Sequence, residues 1–143
     1  MAVIELVINP VAGKGRALRI GEEAAALLKS HGIDFAKHLT NHPRHATELA
    51  REAAGRGAET VIAFGGDGTI LHLARTVALH SVPVLGVNLG SLGFMSELEV
   101  DELDRLRDLA DWSFDVESRM MLDVSVLRGG KSVYNNIALN DAV

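Results

Sequence analysis

The sequence contains no cysteine, which excludes disulfide bonds, thiolate zinc sites, iron–sulfur clusters and cysteine nucleophiles. It has no basic leader, and no segment approaches the roughly 18 apolar residues that a membrane span requires. It also lacks an excess of basic residues: 14 Lys and Arg against 19 Asp and Glu give a net charge of −5, which argues against nucleic acid as the main partner. We therefore predict a soluble, cytoplasmic protein with neither a nucleic-acid nor a membrane partner.

The chain has the composition and length of one packed domain, with 143 residues of which 48% are hydrophobic and 23% charged. Apolar runs typical of buried strands alternate with helical periods over the first 111 residues. The predicted strands are 2–8, 33–39, 61–64 and 82–87, and the predicted helices are 16–31, 46–56, 98–110 and one from Ile70 onward. This alternation predicts an α/β fold, a Rossmann-like open parallel sheet with helices on both faces.

The pattern changes after Asp111. Residues 114–116, 120–127 and 132–139 are strand-like, no helix separates them, and Arg128–Lys131 has the composition of a hairpin turn. We predict two units, an α/β nucleotide-binding domain at 1–111 and, at 112–143, the start of an antiparallel β-rich unit.

Three glycines, one acid and one hydroxyl lie between the third strand and its helix, as Gly65, Gly66, Asp67, Gly68 and Thr69. Such a turn lets bare backbone N–H groups at a helix N-terminus approach a phosphate closely. An acid there is unusual unless it holds a metal or accepts a proton. The alternative is a tight turn in which Asp67 or Thr69 caps the helix, but a cap does not explain all three glycines.

A second glycine loop, Asn88 to Met95, follows the fourth strand. Gly90 and Gly93 permit close backbone approach, and Phe94 is suited either to stacking on a base or to the core. Because ligands on parallel sheets bind beyond the carboxyl ends of the strands, we expect both glycine loops to lie at the site.

The loop Asn9–Arg16 is also rich in glycine and basic residues. It does not match the Walker pattern, because Ile8 and Gly15 stand where Gly and Ser or Thr are required, and Leu18 replaces the third glycine of the dinucleotide fingerprint. An anion-facing loop and a plain turn both remain open.

Three histidines, His38, His42 and His45, lie in or beside the next polar loop and could suggest a metal. We favour a solvated loop, since no carboxylate falls among them at ligand spacing.

Four ordered motifs resemble those of NAD kinases. The Gly65–Thr69 signature is shared with diacylglycerol and sphingosine-type lipid kinases, but Gly86–Met95 is similar to the NAD kinase loop. Glu117–Leu122 and Ala138–Asp141 are similar to later NAD kinase segments. The sequence departs from the family at Leu89, where arginine is common, and at Asp141, where glutamate is common.

The resemblance implies transfer of the ATP γ-phosphoryl group to the adenosine ribose 2′-hydroxyl of NAD, giving NADP, with Mg²⁺ expected alongside ATP. It implies that Asp67 accepts the hydroxyl proton. The positions matching the NAD site are Asp67, Gly68, His72, Phe94, Asn140 and Asp141, and those matching the phosphate or nucleotide loops are Gly65, Gly66, Gly68, Thr69, Asn88, Gly90 and Gly93. No protein ligand set for a metal can be identified in the sequence.

Two alternatives remain, a lipid kinase and a non-catalytic nucleotide-binding module. The resemblance also implies a C-terminal β-rich domain that completes the NAD pocket and supplies a homo-oligomer interface. We therefore expect residues 1–143 to be the front part of a longer protein, with little kinase activity alone.

Overall fold

A four-stranded parallel sheet forms the centre of the molecule, in a computed structural model that describes residues 4–90 and 96–139. Its strands are β1 (Ile4–Ile8), β2 (Phe35–Leu39), β3 (Thr60–Gly65) and β4 (Val84–Asn88), in the order β2-β1-β3-β4. Every neighbouring pair in this sheet is parallel. The predicted α/β class with an open parallel sheet is therefore confirmed.

Helices cover both faces of the sheet. The α-helices are α1 (Ala17–Ser30), α2 (His45–Gly55) and α3 (Asp67–Val77), and two 3-10 helices follow at Ala78–His80 and Val100–Leu109. One core lies between the sheet, α1 and the Val100–Leu109 helix; the other lies between the sheet, α2 and α3. Strands β1 and β3 are buried throughout, which explains their continuous apolar runs. No helix in residues 4–90 and 96–139 is long and apolar enough to cross a membrane.

The four predicted helices all begin at residues other than those expected, α1 and α2 by one residue and the other two by three and two residues. Helix α3 starts at Asp67 rather than at Ile70, so Asp67, Gly68 and Thr69 belong to its first turn. The helix predicted at 98–110 is a 3-10 helix over Val100–Leu109, whose start is fixed by a capping box between Glu99 and Glu102.

The C-terminal strands form a separate antiparallel hairpin, β5 (Leu122–Arg128) with β6 (Lys131–Ala138). Gly129 and Gly130 make its turn with φ of 58° and 75°, as a type I′ turn requires. The strand predicted at 114–116 does not form. Phe114 instead packs against the first core and against Trp112, and Val116 is exposed and pairs with no strand of the described residues.

A carboxylate that the sequence analysis did not single out is buried in the central strand. Glu5 is 1% exposed, and Arg56, just after α2, donates to it from Nε and from an Nη, each at 3.1 Å. His38 Nε2 lies 2.5 Å from the second carboxylate oxygen. The hydrogen bond to Glu5 raises the pKa of Arg56 above its ordinary value. This network attaches the end of α2 and strand β2 to the buried strand.

Candidate functional site

Three loops converge at the carboxyl edge of the sheet. The chain passes from β1 to β2 on one side and then to β3 on the other, so the crevice beyond β1 and β3 is the topological switch point at which such sheets bind ligands. The N–H of Asn9 donates to Phe64 O at 3.1 Å, and the N–H of Leu89 donates to Gly65 O at 3.0 Å. Backbone hydrogen bonds therefore join the ends of β1, β3 and β4, and the loops after β3 and β4 lie at the same edge of the sheet, as the sequence predicts.

The three glycines of the Gly65–Thr69 turn are not equivalent. A Cβ at Gly65 would lie 2.7 Å from Thr69 Cβ and 2.8 Å from Thr69 Oγ1, so Gly65 is required by packing. Among residues 4–90 and 96–139, a Cβ at Gly66 or Gly68 would meet nothing within 4 Å, and neither residue has a positive φ. The described part of the fold therefore does not require glycine at Gly66 or Gly68, and the absence of side chains leaves the backbone open on one side.

Asp67 is the first residue of α3 and is half-buried. Its carboxylate is attached where the helix macrodipole is positive and where the first-turn N–H groups have no acceptors within the helix. Thr69 N–H donates to Gly66 O at 3.0 Å, which closes the first turn. His72 is exposed and lies one helical turn beyond Gly68, so the two share a face of α3.

Asn88 is buried and fully engaged with the protein. Its Nδ2 donates to both carboxylate oxygens of Glu99 at 3.1 and 3.2 Å, and its Oδ1 accepts from the N–H of Gly90 at 2.9 Å. Glu99 in turn caps the Val100–Leu109 helix. The side chain of Asn88 therefore fixes the start of the loop, and Gly90, which is exposed, follows directly.

The loop after β1 contributes a residue that the sequence analysis did not single out. Gly13 has φ +59°, and a Cβ there would lie 3.0 Å from Leu89 O. Lys14 and Gly15 also have positive φ, 58° and 84°, and Arg16 Nε donates to Gly13 O at 3.0 Å. The close approach of Gly13 to Leu89 brings this basic loop against the loop after β4, a contact across 76 residues that has no local sequence signal.

Four of the predicted site residues, Gly93, Phe94, Asn140 and Asp141, lie outside the described residues, and their roles stay predictions. A cavity of about 990 Å³ lies elsewhere among residues 4–90 and 96–139, against the first half of β4, α3 and the segment 113–119. It contains none of the predicted phosphate-loop residues. We place the candidate site in the open crevice at the carboxyl edge, because the convergent glycine backbone and Asp67 are there.

The histidine-rich loop differs from the prediction in two respects. His38 is separated from His42 and His45, because it binds Glu5. A carboxylate does reach the other two: single ligand atoms of His42, His45 and Glu48 all lie within 4.8 Å of one another. The expectation that no carboxylate joins this cluster is therefore wrong.

Comparison with known proteins identifies relatives of this chain. The model of the diacylglycerol kinase catalytic domain matches residues 4–101. An NAD kinase of Azoarcus sp. (strain BH72) is 47% identical over 98 residues, covering 68% of this chain and 33% of that protein. An NAD kinase of Natranaerobius thermophilus is 36% identical over 136 residues, covering 91% of this chain and 47% of that protein.

A solved structure of a diacylglycerol kinase from Bacillus anthracis str. Sterne has the same fold, with a TM-score of 0.58, 18% identity, and coverage of 90% of this chain and 47% of that one. The chain thus spans about a third to a half of the length of the proteins it matches. The match of the family model over most of the chain confirms the resemblance that the Gly65–Thr69 signature predicted. The chain belongs to the family of the diacylglycerol kinase catalytic domain, and the curated relatives named above are NAD kinases.

Proposed function

We propose that the protein is an NAD kinase, which transfers the γ-phosphoryl group of ATP to the 2′-hydroxyl of the adenosine ribose of NAD. The observation that carries the proposal is the turn at the carboxyl end of β3. This turn presents Asp67 between Gly66 and Gly68. The packing of the described residues has room for a side chain at both glycines, so packing does not explain why they are glycine. The identity of 47% to an NAD kinase across this region supports NAD as the acceptor.

Asp67 is the proposed proton acceptor. In the proposed step the ribose 2′-oxygen attacks the γ-phosphorus, the bond to the β–γ bridging oxygen breaks and ADP leaves. The hydroxyl proton passes to the Asp67 carboxylate. Phosphoryl transfer relies chiefly on positioning and charge neutralisation, and a positioned base contributes a factor of roughly 10² to 10⁴. The open backbone of Gly66 and Gly68 at the N-terminus of α3 suits the approach of a phosphate.

The remaining predicted residues take supporting positions in the proposal. Gly68 and His72 face the dinucleotide from α3, and Phe94, Asn140 and Asp141 complete its site. Gly65 and Thr69 hold the turn, and Asn88 holds the loop in which Gly90 and Gly93 approach the nucleotide. We further propose that the full-length protein is a cytoplasmic homo-oligomer, as the family resemblance implies.

Mg²⁺ is proposed to enter bound to the phosphates of ATP. Within residues 4–90 and 96–139, the one group of three side chains with metal-ligand spacing is His42, His45 and Glu48, and it does not include Asp67. Mg²⁺ is commonly held by substrate phosphates, waters and one or two carboxylates rather than by a protein cage. The chain therefore needs no dedicated Mg²⁺ site for this chemistry.

The test is product identification. The natural full-length protein is incubated with ATP, Mg²⁺ and NAD, and in parallel with ATP, Mg²⁺ and diacylglycerol. We expect NADP from the first mixture and no phosphatidic acid from the second. The name of the matching family model favours a lipid kinase as the second candidate, and phosphatidic acid without NADP would establish it. Binding of ATP with neither product would indicate a non-catalytic nucleotide-binding module.

A matched pair of variants tests the role of Asp67. Asp67→Asn keeps the size of the side chain but removes the proton acceptor, whereas Asp104→Asn makes the same change at an exposed residue of the Val100–Leu109 helix. We expect turnover to fall at least 100-fold in the first variant and to stay within twofold of wild type in the second. Near-normal turnover of Asp67→Asn would exclude Asp67 as the base.

A further inference from the structure

Two histidines and one glutamate meet where the β2–α2 loop enters α2. His42 lies in the loop, and His45 and Glu48 lie in the first turn of the helix. One ligand atom from each falls within 4.8 Å of the other two. We propose that His42, His45 and Glu48 form a binding site for a zinc-type divalent metal, separate from the site of phosphoryl transfer.

The backbone places the three ligands on one side of the helix start. His45 and Glu48 are three residues apart, a spacing that puts both on the same face of an α-helix. His42 Nε2 already lies 3.5 Å from a Glu48 carboxylate oxygen. Tetrahedral zinc, with ligand bonds of about 2.0–2.2 Å, holds its donors about 3.3–3.6 Å apart. One edge of such a tetrahedron is therefore present.

The hydrogen bond of the His42 ring favours ligation, whereas that of the His45 ring must be given up. His42 Nδ1 lies 2.8 Å from Pro43 O, a partner that accepts only, so the hydrogen of the neutral ring is on Nδ1 and Nε2 keeps the lone pair that a metal would take. This use of the second ring nitrogen is characteristic of metal-binding histidines. His45 Nδ1 accepts from the N–H of Asn41 at 3.1 Å, and we assign this same lone pair to the metal.

Binding requires a small rearrangement. The two rings are stacked, with centroids 4.5 Å apart and planes at 17°, so they must turn until both lone pairs converge. His42 and Glu48 are exposed and His45 is half-buried, so no core packing resists this rotation. The Asn41 N–H would lose its hydrogen bond to His45 Nδ1 and donate to water instead. Imidazole donors select zinc, cobalt, nickel or copper over magnesium, and three protein ligands leave a fourth position for water.

The site would brace the edge of the sheet beside the phosphate-binding crevice. Thr40, at the start of the same loop, donates its N–H to Ile8 O at 2.9 Å, next to the loop after β1. A metal bound by His42, His45 and Glu48 would cross-link the loop to the first turn of α2. The segment from Thr40, which is hydrogen-bonded to β1, to Glu48 would then be fixed at both ends. The consequence we expect is stabilisation of the folded state by the metal, through mass action on a site that the unfolded chain lacks.

The test is titration of the untagged full-length protein with Zn²⁺ alone by calorimetry, with no nucleotide present. We expect one equivalent to bind, and the affinity to fall at least tenfold in His42→Ala, His45→Ala and Glu48→Gln. His31→Ala and His80→Ala serve as controls, since both remove exposed histidines from other parts of the surface, and both should bind like wild type.

Thermal unfolding supplies a second readout. Zn²⁺ should raise the Tm of wild type and of the two control variants, and should leave the Tm of the three ligand variants unchanged. Without metal, His42→Ala and Glu48→Gln should unfold at the wild-type temperature, because both side chains are exposed. His45→Ala also loses the hydrogen bond from Asn41 N–H and should unfold at a slightly lower temperature. Absence of one-equivalent binding in wild type, or equal loss in the control variants, would overturn the proposed site. Because no nucleotide is used, either result leaves the proposed kinase activity untouched.

Discussion

Gly65→Ala is the substitution whose effect can be worked out most directly from the structure. The added methyl group would lie 2.7 Å from Thr69 Cβ, 2.8 Å from Thr69 Oγ1 and 3.0 Å from Thr69 Cγ2. Reaching an ordinary contact of 3.4 Å requires a relative shift of roughly 0.7 Å. The contact is with Cβ as well as with the ends of the side chain, so rotation of Thr69 cannot relieve it.

Both sides of this contact are held by backbone hydrogen bonds. Gly65 pairs with Asn88 in the sheet and accepts from the N–H of Leu89, and Thr69 N–H donates to Gly66 O at the start of α3. Overpacking of a fixed site lowers the free energy of unfolding by about 1–3 kcal/mol. Replacing glycine by alanine also reduces the conformational entropy of the unfolded chain, which raises the free energy of unfolding by about 0.4–1 kcal/mol. We expect a net loss of about 1–2 kcal/mol, corresponding to a fall in Tm of about 2–8 °C.

Gly66→Ala and Gly68→Ala are the matched controls. At both positions a Cβ has open space. Gly66 caps α3, where alanine is a poorer cap than glycine by about 0.5–1 kcal/mol, and the entropy gain offsets this. Gly68 is within the helix, where alanine is better by about 0.5–1 kcal/mol. Neither variant should lower the free energy of unfolding by more than about 0.5 kcal/mol.

The two control variants, which should keep their stability, should lose affinity for ATP if the proposed function is right. Methyl groups at Gly66 and Gly68 would stand on the backbone that a phosphate approaches, so affinity for ATP should fall at least tenfold in both variants. Scanning calorimetry gives stability, and titration calorimetry gives affinity. If Gly65→Ala were as stable as wild type, the packing argument would be wrong. If Gly66→Ala and Gly68→Ala bound ATP normally, a phosphate would not approach this backbone.

Further predictions concern the buried ion pair and the second glycine loop. Arg56→Ala leaves the buried Glu5 carboxylate without its bidentate partner. We expect the free energy of unfolding in urea to fall by about 1–3 kcal/mol, less than the roughly 3–5 kcal/mol of fully buried pairs, because Arg56 is 43% exposed and His38 still contacts Glu5. Arg51→Ala, at an exposed residue of α2, should change it by less than about 0.5 kcal/mol, and equal losses would refute the network. Gly90→Val should weaken NAD binding at least tenfold with the Tm unchanged, and unaltered calorimetric affinity would count against the loop's role.

The parallel sheet could be predicted because its two central strands, β1 and β3, are buried on both faces. Val61 to Phe64 form a continuous apolar run between a helical period and three glycines, and each of these signals is local. The hairpin turn at Gly129 and Gly130 was equally evident, since only residues that tolerate positive φ suit it.

Features that depend on distant residues could not be predicted. Glu5 and Arg56 are 51 positions apart, and nothing near either one identifies the other. The contact of Gly13 with Leu89 is of the same kind. The sequence places the start of α3 at Ile70 and not at Asp67, because an Asp-Gly-Thr segment has poor helix propensity. In the fold this segment directly follows β3 and is helical despite that propensity.

Two further features have local signals in the sequence. Glu48 is three residues from His45 in a predicted helix, a spacing that places it beside the histidine cluster. Gly65 and Thr69 are four residues apart across a strand-to-helix turn, where the hydroxyl side chain folds back over the strand end.

The most direct test of the central claim is a competition between acceptors. The natural full-length protein, and its Asp67→Asn variant, are supplied with γ-labelled ATP, Mg²⁺, NAD and diacylglycerol in detergent, and the labelled products are separated and identified by mass. The account predicts that wild type places the label on the 2′-position of NAD and that the variant does so at least 100-fold more slowly. Label found in phosphatidic acid rather than in NADP, or equal rates for the two proteins, would contradict it.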